Sequence, residues 1–492
     1  MIWASGQSIT SDKLALTRFE KGIKAGKLAD VESDLLSYVI AHPKDAKGFV
    51  LMAKLRLKQN RLNEARSLSL RALTLQPDLP EAKLSSAEAQ FQLGETQESR
   101  AVLDGISWSK GSDEALGLEL VQMYVLIGEC PKALETAEKL SLKIRNSEAL
   151  PLRATCYLEA GDKRNFDALV PIAKALARSN PTVAVKFAEA LSKVARHNET
   201  AELLRVVVAA YPENVEALLL LAKSEIFLKD YTKAKIHLEN TEKIQPVSAE
   251  LFFAKAVLEN QQGNYVRALE LLERSLAEDP DNIEVLSNFV ITAMRSNQSG
   301  KAVRAAEKLT VLRPEDPDFM YLYGAASLEN NNFQKAEDAL GKFLEVRPQD
   351  ARGCLALGLA FAGQSDKLSD GLQQLRKCLV INPNNFEAAY QLGLLYKTQG
   401  ESAKAIEYLE LAVKLSPDYA LALRDLGAVY LQSGAEGKAR TVLERSVSLN
   451  PNDFDTHFQL SRLYNLIGEP ELAKKHLKLF QDLKKSKDGS MQ

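Results

Sequence analysis

Between Phe386 and Tyr396 apolar residues recur at the spacing of a helix face, and Gly400 follows the last of them, where a left-handed C-terminal cap needs no Cβ. The spacing predicts a helix ending near Gly400. A second amphipathic run, Ser402 to Leu415, stops at Ser416-Pro417, because proline disfavours helix in the residue before it and has no N–H to donate. The two runs read as one helical hairpin. Thirty-four residues on, the pattern returns: Leu392-Gly393, Tyr396, Gly400, Ala405 and Pro417 recur as Leu426-Gly427, Tyr430, Gly434, Ala439 and Pro451, with Ser446 in place of Ala412. A fixed period of this length marks stacked supersecondary units.

Projected backwards, the period places fourteen unit starts: Asp12, Ala46, Pro80, Glu114, Ser147, Pro181, Val215, Ala249, Ile283, Pro317, Ala351, Phe386, Ala420 and Phe454. Prolines hold the closing place from Pro43 and Pro77 through Pro212, Pro246, Pro280, Pro314, Pro348 and Pro383 to Pro451. The turn inside each hairpin carries Gly26, Gly94, Gly128, Gly161, Gly263, Gly400, Gly434 and Gly468, or asparagine at Asn60, Asn297 and Asn331, the next best residue for such a cap. Gly393 and Gly427 lie inside first helices, where glycine costs about 1 kcal/mol relative to alanine. Close approach of the two helices explains that cost, with Ala405 or Ala439 on the facing helix and Tyr396 or Tyr430 filling the space beside them.

Three places depart from the pattern. Asp104 to Gly111 is too rich in glycine and serine for helix and reads as a loop, with Trp108 either on the surface or tucked between units. The units starting at Ser147 and Pro181 lack the alanine that opens other second helices, and Pro171 predicts a kink. The unit at Ala351 has one extra residue in Gly363 to Lys367, which lengthens its turn. The organisation expected is an extension over 1–11, regular units over 12–146, degenerate units over 147–214, a second array with a capping helix over 215–484, and a tail over 485–492.

The Leu-Gly-x₂-Tyr spacing followed by Ala and Pro resembles the tetratricopeptide repeat family. The signature Trp is absent, replaced by Ala389 and Leu423. The resemblance implies an all-α, right-handed α-solenoid of about fourteen helix-turn-helix units that binds partner proteins or extended peptides in a concave groove. The peptide clamps of the family hold a C-terminal carboxylate with Lys and Asn, and the apolar residues here leave no such clamp.

A net charge of -2 over 492 residues provides no sequence-wide basic field, which argues against nucleic acid as the partner. No apolar run approaches the roughly eighteen residues of a membrane span. Cys130, Cys156, Cys354 and Cys378 show neither a CxxC pair nor zinc-ligand spacing, and read as buried free thiols. His42, His197, His237, His457 and His476 sit in ordinary helical units outside any catalytic motif, and His457 takes the signature Trp place, which points to core packing. No cofactor, metal or catalytic centre is expected. As written the chain is cytoplasmic; small residues after Trp3 would fit the tail of a truncated secretory signal, and then a periplasmic or secreted protein.

The fifth, ninth and twelfth residues of each unit share one face of the first helix. Its middle place is mostly polar early in the chain, at Glu20, Lys54, Glu88, Gln122, Glu189 and Lys223, and apolar from the eighth unit, at Val257, Ile291, Leu359 and Leu394. Phe253, Tyr321, Leu355 and Tyr390 add the fifth place, and Met294 and Leu328 the twelfth. This stripe is either core buried by tight winding or an apolar partner-binding groove. The function expected is a non-catalytic scaffold, with two rivals: the substrate-recruiting subunit of a separate enzyme, or an exported assembly factor. Partner identity and oligomeric state are not written in the sequence.

Overall fold

The computed structural model describes residues 3–489, with side chains over 14–486. Every regular element among the described residues is a helix, and the helices follow one another in fourteen packed pairs. Twelve of the first helices start at the residue the period predicts, from Ala46, Pro80 and Glu114 to Ala420 and Phe454. Two do not. The first helix runs Trp3–Lys24, so the expected extension over 1–11 is already helical from Trp3, and the degenerate fifth pair begins at Leu150 after a single turn, Leu142–Arg145. The last helix, Pro470–Gly489, continues through most of the expected tail; residues 490–492, like 1 and 2, lie outside the described residues.

The chain divides into two compact units, one ending at Pro246 and the other beginning at Val247, each holding seven hairpins. In each unit a hairpin packs its two helices on each other, and most hairpins pack their second helix on the next hairpin and their first helix on the first helix of that next hairpin. One face of each unit is therefore built from first helices alone.

The turn chemistry explains where each pair folds back. All eleven predicted cap residues have positive φ, from Asn297 at 56° to Gly94 at 86°. Ala195 and Lys229 adopt the same conformation at 58° and 62°, which the sequence did not announce. The hairpin with the extra residue turns instead over 363–367 without such a cap.

The glycine cost is answered by helix approach, with a different neighbour from the one expected. A methyl built on Gly393 would stand 2.6 Å from Leu409 Cγ, and one on Gly427 2.5 Å from Leu443 Cγ. Leucines one turn beyond the alanines make the contact, while Ala405 and Ala439 are fully buried. Trp108 is half-buried and lies against Gly117, where a side chain would collide with its ring; its indole N–H donates to Asp113 O at 2.8 Å. The helix Lys163–Leu176 continues through Pro171. His457 is buried, with Nε2 2.9 Å from Pro451 O and Nδ1 2.8 Å from His476 Nδ1.

The cysteines correct the sequence reading. None is free: Cys130 pairs with Cys156, joining consecutive hairpins, and Cys354 pairs with Cys378 inside one hairpin. Repeat stacking brings residues 24 and 26 apart in sequence onto facing helices, which no spacing rule for isolated motifs anticipates.

Candidate functional site

In the C-terminal unit the first-helix face carries all ten stripe residues, and their exposure separates them. Phe253 is buried within a cluster with Ala256, Leu269 and Leu272, against which Val257 and Met294 are half-buried. Ile291 stands out of that cluster at 42% exposure. Tyr321 and Leu328 half-bury against Leu340 and Ala356; the Tyr321 ring lies 5.4 Å from Phe343, with the Arg352 guanidinium 5.0 Å from its centroid. Leu355, Leu359 and Leu394 are also half-buried, Leu355 and Leu394 against the next cluster.

Tyr390 is different. It is buried, and its hydroxyl donates to Asp425 Oδ2 at 2.9 Å. Asp425, 5% exposed, also accepts from Lys397 Nζ at 2.7 Å and Arg424 Nη2 at 2.9 Å. Burial opposes ionisation of this carboxyl, but the Lys397 and Arg424 cations outweigh it and hold the pKa below the usual carboxylate range. Burial beside that anion pushes the Tyr390 phenol up. The tyrosine hydroxyl that suggested an open groove has an internal partner. The signal that could have found this network was the pair Arg424-Asp425 in a helix interior, a place where an unpaired carboxylate would be costly.

In the N-terminal unit the same face is a charged cleft over hairpins one to four. Lys54 Nζ lies 3.0 Å from Glu119 Oε2, so the second hairpin reaches the fourth across sixty-five residues of chain. Two cavities of about 320 and 410 Å³ share Lys24, Lys54 and Glu119, over a floor that includes Val50, Leu51, Leu84 and Met123. Among the described residues no group of three or more His, Cys, Asp or Glu side chains is placed to hold a metal ion, and no helix is long and apolar enough to cross a membrane.

Profiles of the tetratricopeptide repeat match residues 50–109, 223–283 and 288–342, with further repeat profiles over 260–310 and 386–419. Over these residues the chain carries tetratricopeptide repeats. A tetratricopeptide repeat chain of this kind is a protein-interaction scaffold in general terms. Among curated proteins it is similar to the BBSome complex member BBS4 homolog of Drosophila melanogaster, 28% identical over 169 residues, which is 34% of each chain. The match thus spans about a third of that relative's length. Among solved structures it is similar to the Cut9-Hcn1 hetero-tetramer of APC/C, at 15% identity and TM-score 0.48, covering 92% of this chain and 96% of that one. A tetratricopeptide repeat protein from Parabacteroides merdae is 19% identical at TM-score 0.44, covering 54% of this chain and 98% of that one.

Proposed function

We propose that this chain is a non-catalytic scaffold that holds partner proteins or extended peptides along its first-helix face, with the apolar face of hairpins eight to thirteen as its principal site. The observation that supports this reading is that Ile291 is open to solvent and that Val257, Met294, Tyr321, Leu328, Leu355, Leu359 and Leu394 stay half-exposed along one side of consecutive hairpins. An apolar stripe of that length is expensive to leave in water and is a recognised mark of a binding surface. Phe253 and Tyr390 belong to the floor that supports it. Crosslinking mass spectrometry from the native source tests the reading: partner peptides should map to hairpins eight to thirteen, and capture only on the opposite faces would sink it.

The two disulfides favour a second reading, an exported assembly factor, because paired cysteines persist in oxidising compartments. Thiol titration of the protein drawn from its native compartment under denaturing, alkylating conditions separates the two. Four reactive thiols would exclude the exported role.

A further inference from the structure

The N-terminal cleft holds two carboxylates that its own cations do not serve. Lys24 Nζ is committed to Glu20 at 2.7 Å and Lys54 to Glu119, while Asp113 caps its helix by accepting from Ala115 N at 2.9 Å. Lys47 and Lys58 also line the cleft, but both are exposed, with their ammonium groups free to stay hydrated. Glu81 and Glu88 lie on one face of the helix Pro80–Gln92, both half-buried and neither in an ion pair. Glu81 Oε2 is shut off from solvent without a hydrogen-bond partner, and Glu88 accepts only a long bond from Gln92, at 3.4 Å. Burial pushes the Glu88 carboxyl up, against the opposing pull of Lys58 and Lys54.

Seven residues of helix separate these carboxylates by about 10 Å along the axis. In a segment extended as a polyproline II helix, with three residues per turn and a rise of about 3.1 Å, nearly the same distance separates a residue from the third one after it, and both project from the same side. We infer that the cleft binds an extended partner segment carrying two basic side chains three positions apart, one meeting Glu81 and the other Glu88. The two cavities, one lined by Glu81 and the other by Glu88, take the apolar stems of these side chains against Val50, Leu51, Leu84 and Met123. The inference rests on the scaffold reading, but on hairpins other than those of the apolar face.

The test uses fluorescein-labelled peptides and the full chain, read by anisotropy at low salt. A peptide with two lysines three positions apart should bind, and the variant Glu81→Gln/Glu88→Gln should weaken it about tenfold or more, since each lost partner is a charge-assisted bond. A matched peptide with adjacent lysines should bind more weakly. Zero-length carbodiimide coupling to the unaltered chain must join a peptide lysine to Glu81 or Glu88, a readout that does not depend on the variant folding. Absence of binding, indifference to the double substitution, preference for a matching glutamate peptide, or coupling elsewhere would each overturn the proposal. If native partners still crosslink to hairpins eight to thirteen, that failure concerns this cleft alone.

Discussion

Tyr464 donates its hydroxyl proton to Glu444 at 2.9 Å, and the two residues stand twenty apart, on the first helix of one hairpin and the second helix of the hairpin before it. The same interval joins Tyr430 to Glu410, Arg376 to Tyr396 and Arg205 to Glu225. The repeat thus spends its signature tyrosine on a polar tie to the preceding hairpin, and where Glu225 replaces tyrosine an arginine answers it. Burial, with Glu444 beside it, pushes the Tyr464 phenol up to about 12. A phenol raised in the folded state supports stability fully below its unfolded value of about 10 and loses that support as pH rises toward 12. Tyr464→Phe is expected to cost about 1 to 2 kcal/mol at neutral pH and to flatten the alkaline decline between pH 10 and 12, measured by urea unfolding across that range.

Asp425 is the hub of a second polar network in the same unit, with Tyr390, Lys397 and Arg424 donating to one buried carboxylate. Removing it strands Lys397 where water is scarce and leaves Arg424 only its longer pairs with Asp453, at 3.5 Å, and Asp455, at 3.9 Å. Asp425→Ala is therefore expected to cost about 3 to 5 kcal/mol, whereas Tyr390→Phe, which leaves both ion pairs standing, should cost only about 1 kcal/mol. Chemical denaturation of both variants checks the ratio. Equal costs would show that the cations relax into solvent.

Much of the fold was legible because a hairpin is specified locally. Helix period, cap and closing proline all act within a few residues, so Gly400 and Pro417 each announce a chain reversal without reference to anything distant. The site was less legible. Whether Tyr390 faces solvent or Asp425 depends on a residue in the next hairpin, and whether Cys130 is a thiol depends on Cys156; such choices are made by stacking. The stripe pattern picks out one face of the first helix, but periodicity alone could not sort buried residues such as Phe253 from the open Ile291.

Two turns carry the wrong residue for their backbone. Ala195 and Lys229 hold φ of 58° and 62°, where a Cβ crowds the following carbonyl at a cost of about 1 kcal/mol or more. Ala195→Gly and Lys229→Gly should each raise stability by about 0.5 to 1 kcal/mol, while Gly400→Ala, at φ 76°, should lower it by a similar amount or more. Thermal melts of the three variants suffice to check the signs.

The apolar face can be probed without touching its floor. Ile291 is 42% exposed, so Ile291→Asp removes little packing and should move the melting temperature by no more than a few degrees. Binding should respond more strongly: a carboxylate placed mid-stripe must be desolvated by any apolar partner, and capture of crosslinked partners on hairpins eight to thirteen should fall about tenfold or more. Undiminished capture would move the site off this face.

Gly393 offers a change whose sign should reverse with its neighbour. Alanine there gains about 1 kcal/mol of helix propensity, but its methyl would sit 2.6 Å from Leu409 Cγ and 3.2 Å from Leu409 N. Overpacking of that kind costs about 1 to 3 kcal/mol, so Gly393→Ala alone should destabilise the protein. Leu409→Ala alone should cost about 2 to 5 kcal/mol through the cavity it leaves. In that background the added methyl enters vacated space and the propensity gain survives, so the second substitution should become stabilising. A double-mutant cycle by urea unfolding reads the coupling directly. Simple additivity would mean that the glycine is retained for its backbone freedom and not for the passage of Leu409.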